Sequence, residues 1–335
     1  MDNTTDIIFD DNQTLYDDYE FNETEVYSEQ SEQSLLFIPY LFVSAFGLVA
    51  NTLILYLILR FQKMWTPTNI YVFSLALGDI IHMVCLLLFA SEIANITWPL
   101  GNFMCRLFWA FTALLPFSNA YFLVIMSIDV FIQQCFHEFS KKRLGPRVSV
   151  VTSIIVWIVS LLLGIPFFIF SGLTSGCNCQ ITWPNPSAFW NLTFISYRLA
   201  LDFLFPVLLV SFFLILTGVC FRNKDKQNES RSGTIKENFI MILVLMLVYF
   251  VFWLPMQVLE MMSATVGNLG LNEGSYYVIS LIPYLKSCVY PVLYGFLSQS
   301  FKEALFAVLY CKNTQNSSNP PNNSSDKQEE KMSSC

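Results

Sequence analysis

Seven apolar runs, each of at least about 20 residues, limit what this chain can fold into. They lie at 35–60, 68–92, 103–134, 147–170, 197–221, 237–263 and 275–297. Runs of that length cross about 30 Å of hydrocarbon as α-helices. Membrane-spanning β-strands would be about half as long and would alternate apolar with polar residues, which these runs do not. No water is present in lipid to satisfy a spanning backbone, so helix is the remaining choice. Composition agrees: 13% of residues are charged, against about 25% in soluble domains. The sequence predicts an all-α membrane protein, a seven-helix bundle over 35–297. An acidic arm (1–34) precedes it, a short amphipathic eighth helix (298–311) follows, and an Asn-, Ser- and Pro-rich disordered tail (312–335) ends the chain.

Basic residues set the expected orientation. The loops after runs one, three and five carry Lys63, Lys141, Lys142, Arg143, Arg147, Lys224, Lys226 and Arg231. No Lys or Arg occurs in 1–59, 91–105, 171–197 or 261–285. Basic loops stay cytosolic, so the N-terminus is expected outside and the tail inside, as in a multi-pass plasma-membrane protein. The acidic start has no apolar core segment, so the first span is expected to act as its own insertion signal. Sequons at Asn3, Asn12, Asn22 and Asn191 then face outward as candidate glycosylation sites. An oxidising exterior favours a disulfide from Cys105 to Cys179, or alternatively to Cys177. Cys311, after the amphipathic stretch FLSQSFKEALFAVLY, reads as a palmitoylation site or as a free cytosolic thiol.

Particular residues then carry a resemblance. GLVANTLILYLIL centres Asn51 in span one, and TPTNIYVFSLALGD centres Asp79 in span two. WPLGNFMCR precedes span three, Trp157 lies in span four and Pro206 in span five. Phe252-Trp253-Leu254-Pro255 lies in span six, and YPVLYGFLSQSFK closes span seven. This pattern, over about residues 35–312, resembles the rhodopsin-like G-protein-coupled receptors, nearest the branch of somatostatin, opioid and chemokine receptors. The resemblance implies a heterotrimeric G protein or arrestin as inner partner and lipid around the bundle. Pro206, Pro255 and Pro291 each remove a backbone hydrogen bond and kink a helix, and Trp253 sits beside one such hinge.

The departures from that family gather on its activation path. Where the family has Asp-Arg-Tyr, this chain has Asp129-Val130-Phe131. The family's arginine tethers spans three and six and then contacts the G protein; valine has no donor for either task. Loss of the tether would raise basal activity, and loss of the contact would abolish G-protein turnover. The sequence leaves both open. Leu214 replaces the tyrosine usual in span five, and Tyr290 precedes Pro291 where Asn or Asp is usual, although Tyr294 is kept. In the family, the acid matching Asp79 helps hold a sodium ion, and Asn119 is expected to join it. Lys286 supplies a positive charge where a small polar residue is usual. An Asp79–Lys286 pair in place of the ion is therefore expected; the alternative is that Lys286 snorkels into an outer cavity.

The outer half suggests a ligand class. The arm 1–34 holds eleven Asp or Glu and no Lys or Arg. Its Tyr16, Tyr19 and Tyr27 sit among these acids and resemble sulfation sites of chemokine receptors. Such an arm steers a peptide or a small basic protein, or else merely solvates the chain. The cysteine pairing usual in chemokine receptors between this arm and the outer loop joining spans six and seven is missing. Thr112 stands where aminergic, opioid and somatostatin receptors carry an amine-binding aspartate, which argues against those ligands. With Thr112, pocket candidates are Glu92, Arg198, Asp202, Glu260 and Tyr284. Arg198 and Asp202 are four residues apart and can neutralise each other, whereas Glu260 has no local partner.

Other classes fare worse. Internal repeats of a transporter and the polar filter of a channel are not evident in the sequence. With His82 and His137 as the only histidines, neither metal nor nucleophile chemistry is expected. No enzyme activity, cofactor or nucleic-acid partner is expected. The rival reading is a receptor fold that captures ligand or modulates another receptor without G-protein signalling. A captured, virus-encoded copy would also combine broken motifs with an intact scaffold, and no residue marks that origin.

Overall fold

The computed structural model describes residues 37–309 apart from 96, 144, 176, 224–228, 268 and 271. The candidate sites at Asn3, Asn12, Asn22, Tyr16, Tyr19, Tyr27 and Cys311 lie outside the described residues. Seven helices are long and apolar enough to cross a membrane: Phe37–Arg60, Pro67–Asn95, Gly101–Cys135, Pro146–Phe170, Ser187–Arg222, Gly233–Val266 and Gly274–Leu297. They are spans one to seven below. An eighth helix, Gln299–Leu309, follows span seven.

Span three is the hub. Its apolar window is 72% buried, against 28% for span four, which turns most of its surface outward. Side chains such as Ile154, Leu161, Phe212 and Val251 are exposed, as expected of surfaces that meet lipid rather than water. The main apolar cluster joins the inner halves of most spans, including Leu75, Leu123, Val130, Leu214, Leu245, Tyr290 and Tyr294.

Two prolines explain two cross-span bonds. Pro206 has no N–H for the carbonyl four residues earlier, which is that of Asp202. The freed carbonyl accepts the Tyr249 hydroxyl of span six at 2.7 Å. Just before this proline, Leu199–Leu204 widens into a π-helical segment, which turns Asp202 fully inward. Pro291 likewise frees the Ser287 carbonyl, which accepts Asn51 Nδ2 of span one at 2.8 Å. A kink in one helix thus becomes a hydrogen bond to another.

On the outer face, β1 (Ser171–Leu173) and β2 (Cys179–Ile181) form an antiparallel hairpin with Leu173 opposite Cys179. A Cys105–Cys179 disulfide pins it to span three. The Cys179 backbone is held on both sides: Glu92 Oε1 accepts its N–H (3.2 Å) and Trp109 Nε1 donates to its carbonyl (3.3 Å). Cys177 is exposed and unpaired.

Candidate functional site

Three polar constellations lie along the bundle. The central one is Asp79 and Lys286. Lys286 Nζ lies 2.7 Å from Asp79 Oδ1, and the Ser287 hydroxyl donates to the same oxygen at 2.8 Å. Both charged side chains are shielded from solvent, at 0% and 1% exposure. The ammonium also lies 4.6 Å from the centroid of the Tyr290 ring. Asn119 is not brought into this group. Its amide N and O are buried without a partner, and Asp79 Oδ2 is buried and unpartnered as well, Lys286 and Ser287 both meeting Oδ1. Above the pair, His82 stacks on Tyr284 (4.1 Å between centroids) and lies parallel to Trp253 (6.3 Å).

The outer constellation joins spans five and six. Arg198 Nη1 donates to both carboxylate oxygens of Glu260, at 3.0 and 3.1 Å. Its Nε lies 3.5 Å from Asp202 Oδ2, close enough for charge attraction but without a hydrogen bond. Gln257 Nε2 donates to Asp202 Oδ1 at 3.0 Å. Glu260, which has no local partner in the sequence, thus finds one across the bundle. Its partner is 62 residues away on span five. Glu92 is engaged by the hairpin, and the Thr112 hydroxyl donates to the Phe108 carbonyl of its own helix (2.7 Å). Of the pocket candidates, Arg198, Asp202 and Glu260 thus form one group, while Tyr284 belongs with His82.

The inner constellation surrounds the altered Asp-Arg-Tyr position. Val130 is 1% exposed and packed into the main cluster, so it offers no polar atom to span six. Asp129 is buried with Oδ2 unpartnered, and its carboxyl group faces Tyr71. Phe131 packs on Phe213 of span five (5.6 Å). Other groups fasten span six. Glu237 Oε1 accepts the Gln299 N–H at 2.7 Å, satisfying one of the free donors that begin the last helix. Asn238 Nδ2 donates to Thr68 Oγ1 of span two (3.2 Å), and the Tyr290 hydroxyl donates to the Leu245 carbonyl (3.0 Å). Tyr294 is buried on Phe301 with its hydroxyl unpartnered. Sequence reasoning missed Glu237 and Asn238, which look like ordinary polar residues at the end of a loop.

It also missed a Cys135–Cys220 disulfide, which ties the last residue of span three to span five. Reading one side as cytosolic argued against any bond there. Asn191, the described sequon, lies in the helical start of span five, where its Oδ1 accepts Trp183 Nε1 (3.3 Å).

Residues 50–294 match the family described as 7 transmembrane receptor (rhodopsin family). The chain is similar to somatostatin receptor type 5 of Rattus norvegicus, with 32% identity over 278 residues, covering 81% of this chain and 77% of the relative. It is similar to somatostatin receptor type 2 of Mus musculus, with 32% identity over 309 residues, covering 90% and 84%. Somatostatin receptor type 3 of Homo sapiens is 31% identical over 286 residues, covering 82% and 68%.

Proposed function

The chain belongs to the rhodopsin family of seven-transmembrane receptors, and we propose that it is a cell-surface receptor for an extracellular peptide or small basic protein whose inner switch is built without an arginine. Similarity to somatostatin receptors supports a peptide class of ligand. Thr112, with its hydroxyl turned to its own backbone, supports a ligand not anchored by an amine–aspartate bond. The acidic arm supports attraction of a basic partner, with Tyr16, Tyr19 and Tyr27 as sulfation sites and Asn3, Asn12, Asn22 and Asn191 as glycan sites. The arm and hairpin lie outside; the last helix, with Cys311 as a lipid attachment site, lies inside, where a heterotrimeric G protein and arrestin bind.

The observation that carries the rebuilt switch is the fastening of span six to span two by Asn238 and to the last helix by Glu237. Asp129 and Phe131 remain at the inner end of span three, while Trp253 and Pro255 supply the hinge and Tyr290, Pro291 and Tyr294 the span-seven half of the switch. These fastenings are single hydrogen bonds, each worth about 0.5–1.5 kcal/mol net, or up to about 3 kcal/mol where one group is charged. They hold the closed form loosely, so appreciable basal coupling is expected. The test is ligand-free G-protein activation in cells, comparing the natural chain with Val130→Arg and Glu237→Gln at matched surface expression. The natural chain is expected to be active above vector control, and Glu237→Gln to raise that activity further.

A second reading has one observation in its favour: buried Val130 cannot make the family's contact with a G protein. Silence of the natural chain, reversed by Val130→Arg, would establish this second reading, a receptor that captures ligand or modulates another receptor without G-protein turnover.

The sodium site of the family does not fit these residues. Asp79 already faces an ammonium, and Asn119 makes no hydrogen bond to it. The Lys286 charge stands in for the ion. Replacing sodium chloride by choline chloride at equal ionic strength is expected to leave the thermal stability of the purified receptor unchanged. A sodium-specific rise would overturn this assignment.

A further inference from the structure

We propose that Cys135 and Cys220 form a reversible thiol–disulfide switch that responds to hydroperoxides and small thiols and controls how freely the inner end of span six moves. The inference rests on the orientation argued above, which puts this pair in the cytosol. There, thiols are ordinarily kept reduced, so a bond at this place is expected to be conditional rather than permanent. Geometry favours its formation. The two Cα atoms are 5.9 Å apart, within the normal disulfide range, so closing the bond needs no movement of either span. Both residues are partly exposed and lie at or within two residues of the inner ends of their spans, Cys135 and Arg222, where small reagents meet the bundle. The outer disulfide differs on that point, since Cys105 and Cys179 are both buried.

The chemistry balances with hydrogen peroxide as oxidant. One thiolate attacks a peroxide oxygen; the O–O bond breaks, a sulfenic acid forms, and the released hydroxide becomes water on protonation. The second thiolate attacks the sulfenic sulfur; the S–O bond breaks, the S–S bond forms, and a second water leaves. The two sulfurs give up two electrons, and their two protons end on water. Two equivalents of a small thiol such as glutathione reverse the change through a mixed disulfide, leaving glutathione disulfide and the free cysteine pair.

The mechanical consequence follows from the next residue. Phe221 stacks edge-on against Phe239 of span six, with centroids 5.7 Å apart. Oxidation therefore ties span three to span five, and through Phe221 restrains the inner end of span six. No side chain at position 130 supplies a direct tether, so the bond takes over part of that role under oxidising conditions. Reduction releases it.

The test uses the full-length receptor and needs no G protein, so a failure of coupling cannot be mistaken for a failure of the switch. Cells are exposed to hydrogen peroxide or left untreated. Free thiols are then alkylated with one reagent and, after complete reduction, with another, and each cysteine peptide is read by mass spectrometry. Cys135 and Cys220 are expected to move together from free to bonded on peroxide exposure and to return with glutathione, while Cys105 and Cys179 stay bonded throughout. Hydrogen exchange on the receptor in nanodiscs then compares the two forms. Amides of residues 235–246 are expected to exchange several-fold more slowly in the oxidised form. The Cys135→Ser/Cys220→Ser variant should match the reduced form in either buffer; if it does not reach the surface, Cys220→Val replaces it. Thiols that stay free under peroxide, a bond that resists glutathione, or equal exchange in both forms would each overturn the proposal. So would labelling of Cys135 or Cys220 by an impermeant maleimide on intact cells, which would place the pair outside.

Discussion

Lys286→Met lowers the stability of the receptor by about 3–5 kcal/mol, the usual cost of leaving one member of a buried ion pair uncompensated. Methionine keeps most of the lysine stem volume and removes the charge. Asp79 is then left at 0% exposure with only the Ser287 hydroxyl on Oδ1. Unfolding of the purified receptor in nanodiscs measures the loss. Asp79→Asn combined with Lys286→Met is expected to recover most of it, because neutralising both partners removes the stranded charge. Sodium should also recover part of the loss in Lys286→Met, by entering beside a carboxylate that no longer faces an ammonium. A single-variant loss below about 1 kcal/mol, typical of an exposed pair, would mean that water reaches Asp79 and that the pair is not the closed contact described here.

What the sequence made legible follows from how far each interaction reaches along the chain. The seven spans are local: length and apolarity suffice to find them. Asp79 and Lys286 stood out because a charge inside a membrane helix needs compensation wherever it lies. The kinks were equally visible in Pro206 and Pro291, but the groups that use the freed carbonyls were not. Asn51 is 236 residues from Ser287, and Tyr249 is 47 from Asp202. The partner of Glu260 was hidden for the same reason, since Arg198 faces it from another helix. Asn119 erred in the other direction. It was expected to join the Asp79 site, yet its amide makes no hydrogen bond, and Lys286 and Ser287 of span seven take Asp79 Oδ1 instead. Nothing in the spacing of Cys135 and Cys220 signals a bond, and the assumed compartment argued against one. The inner fastenings by Glu237 and Asn238 were hidden because polar residues at a helix end ordinarily meet water.

The outer constellation yields the other large effect, through one arginine that serves two carboxylates. Arg198→Met leaves Asp202 and Glu260 facing each other across spans five and six without a cation, and a destabilisation of about 3–5 kcal/mol is expected. The two acids should not share the loss equally. The Glu260 side chain is 18% exposed and can turn to water, whereas Asp202 is at 0%. Adding Asp202→Asn to Arg198→Met is therefore expected to recover most of the stability, and adding Glu260→Gln much less. Arg198→Lys should fall between the natural chain and Arg198→Met, because an ammonium keeps the charge but not the planar fork that spans both acids. Unfolding of the five proteins under one lipid composition gives the ranking. The reverse order, with Glu260→Gln the better rescue, would mean that the Arg198–Glu260 bond carries the stability and that Asp202 is already satisfied by Gln257. In that case Glu260, freed by Arg198→Met, would be the natural place to look for the basic group of a ligand.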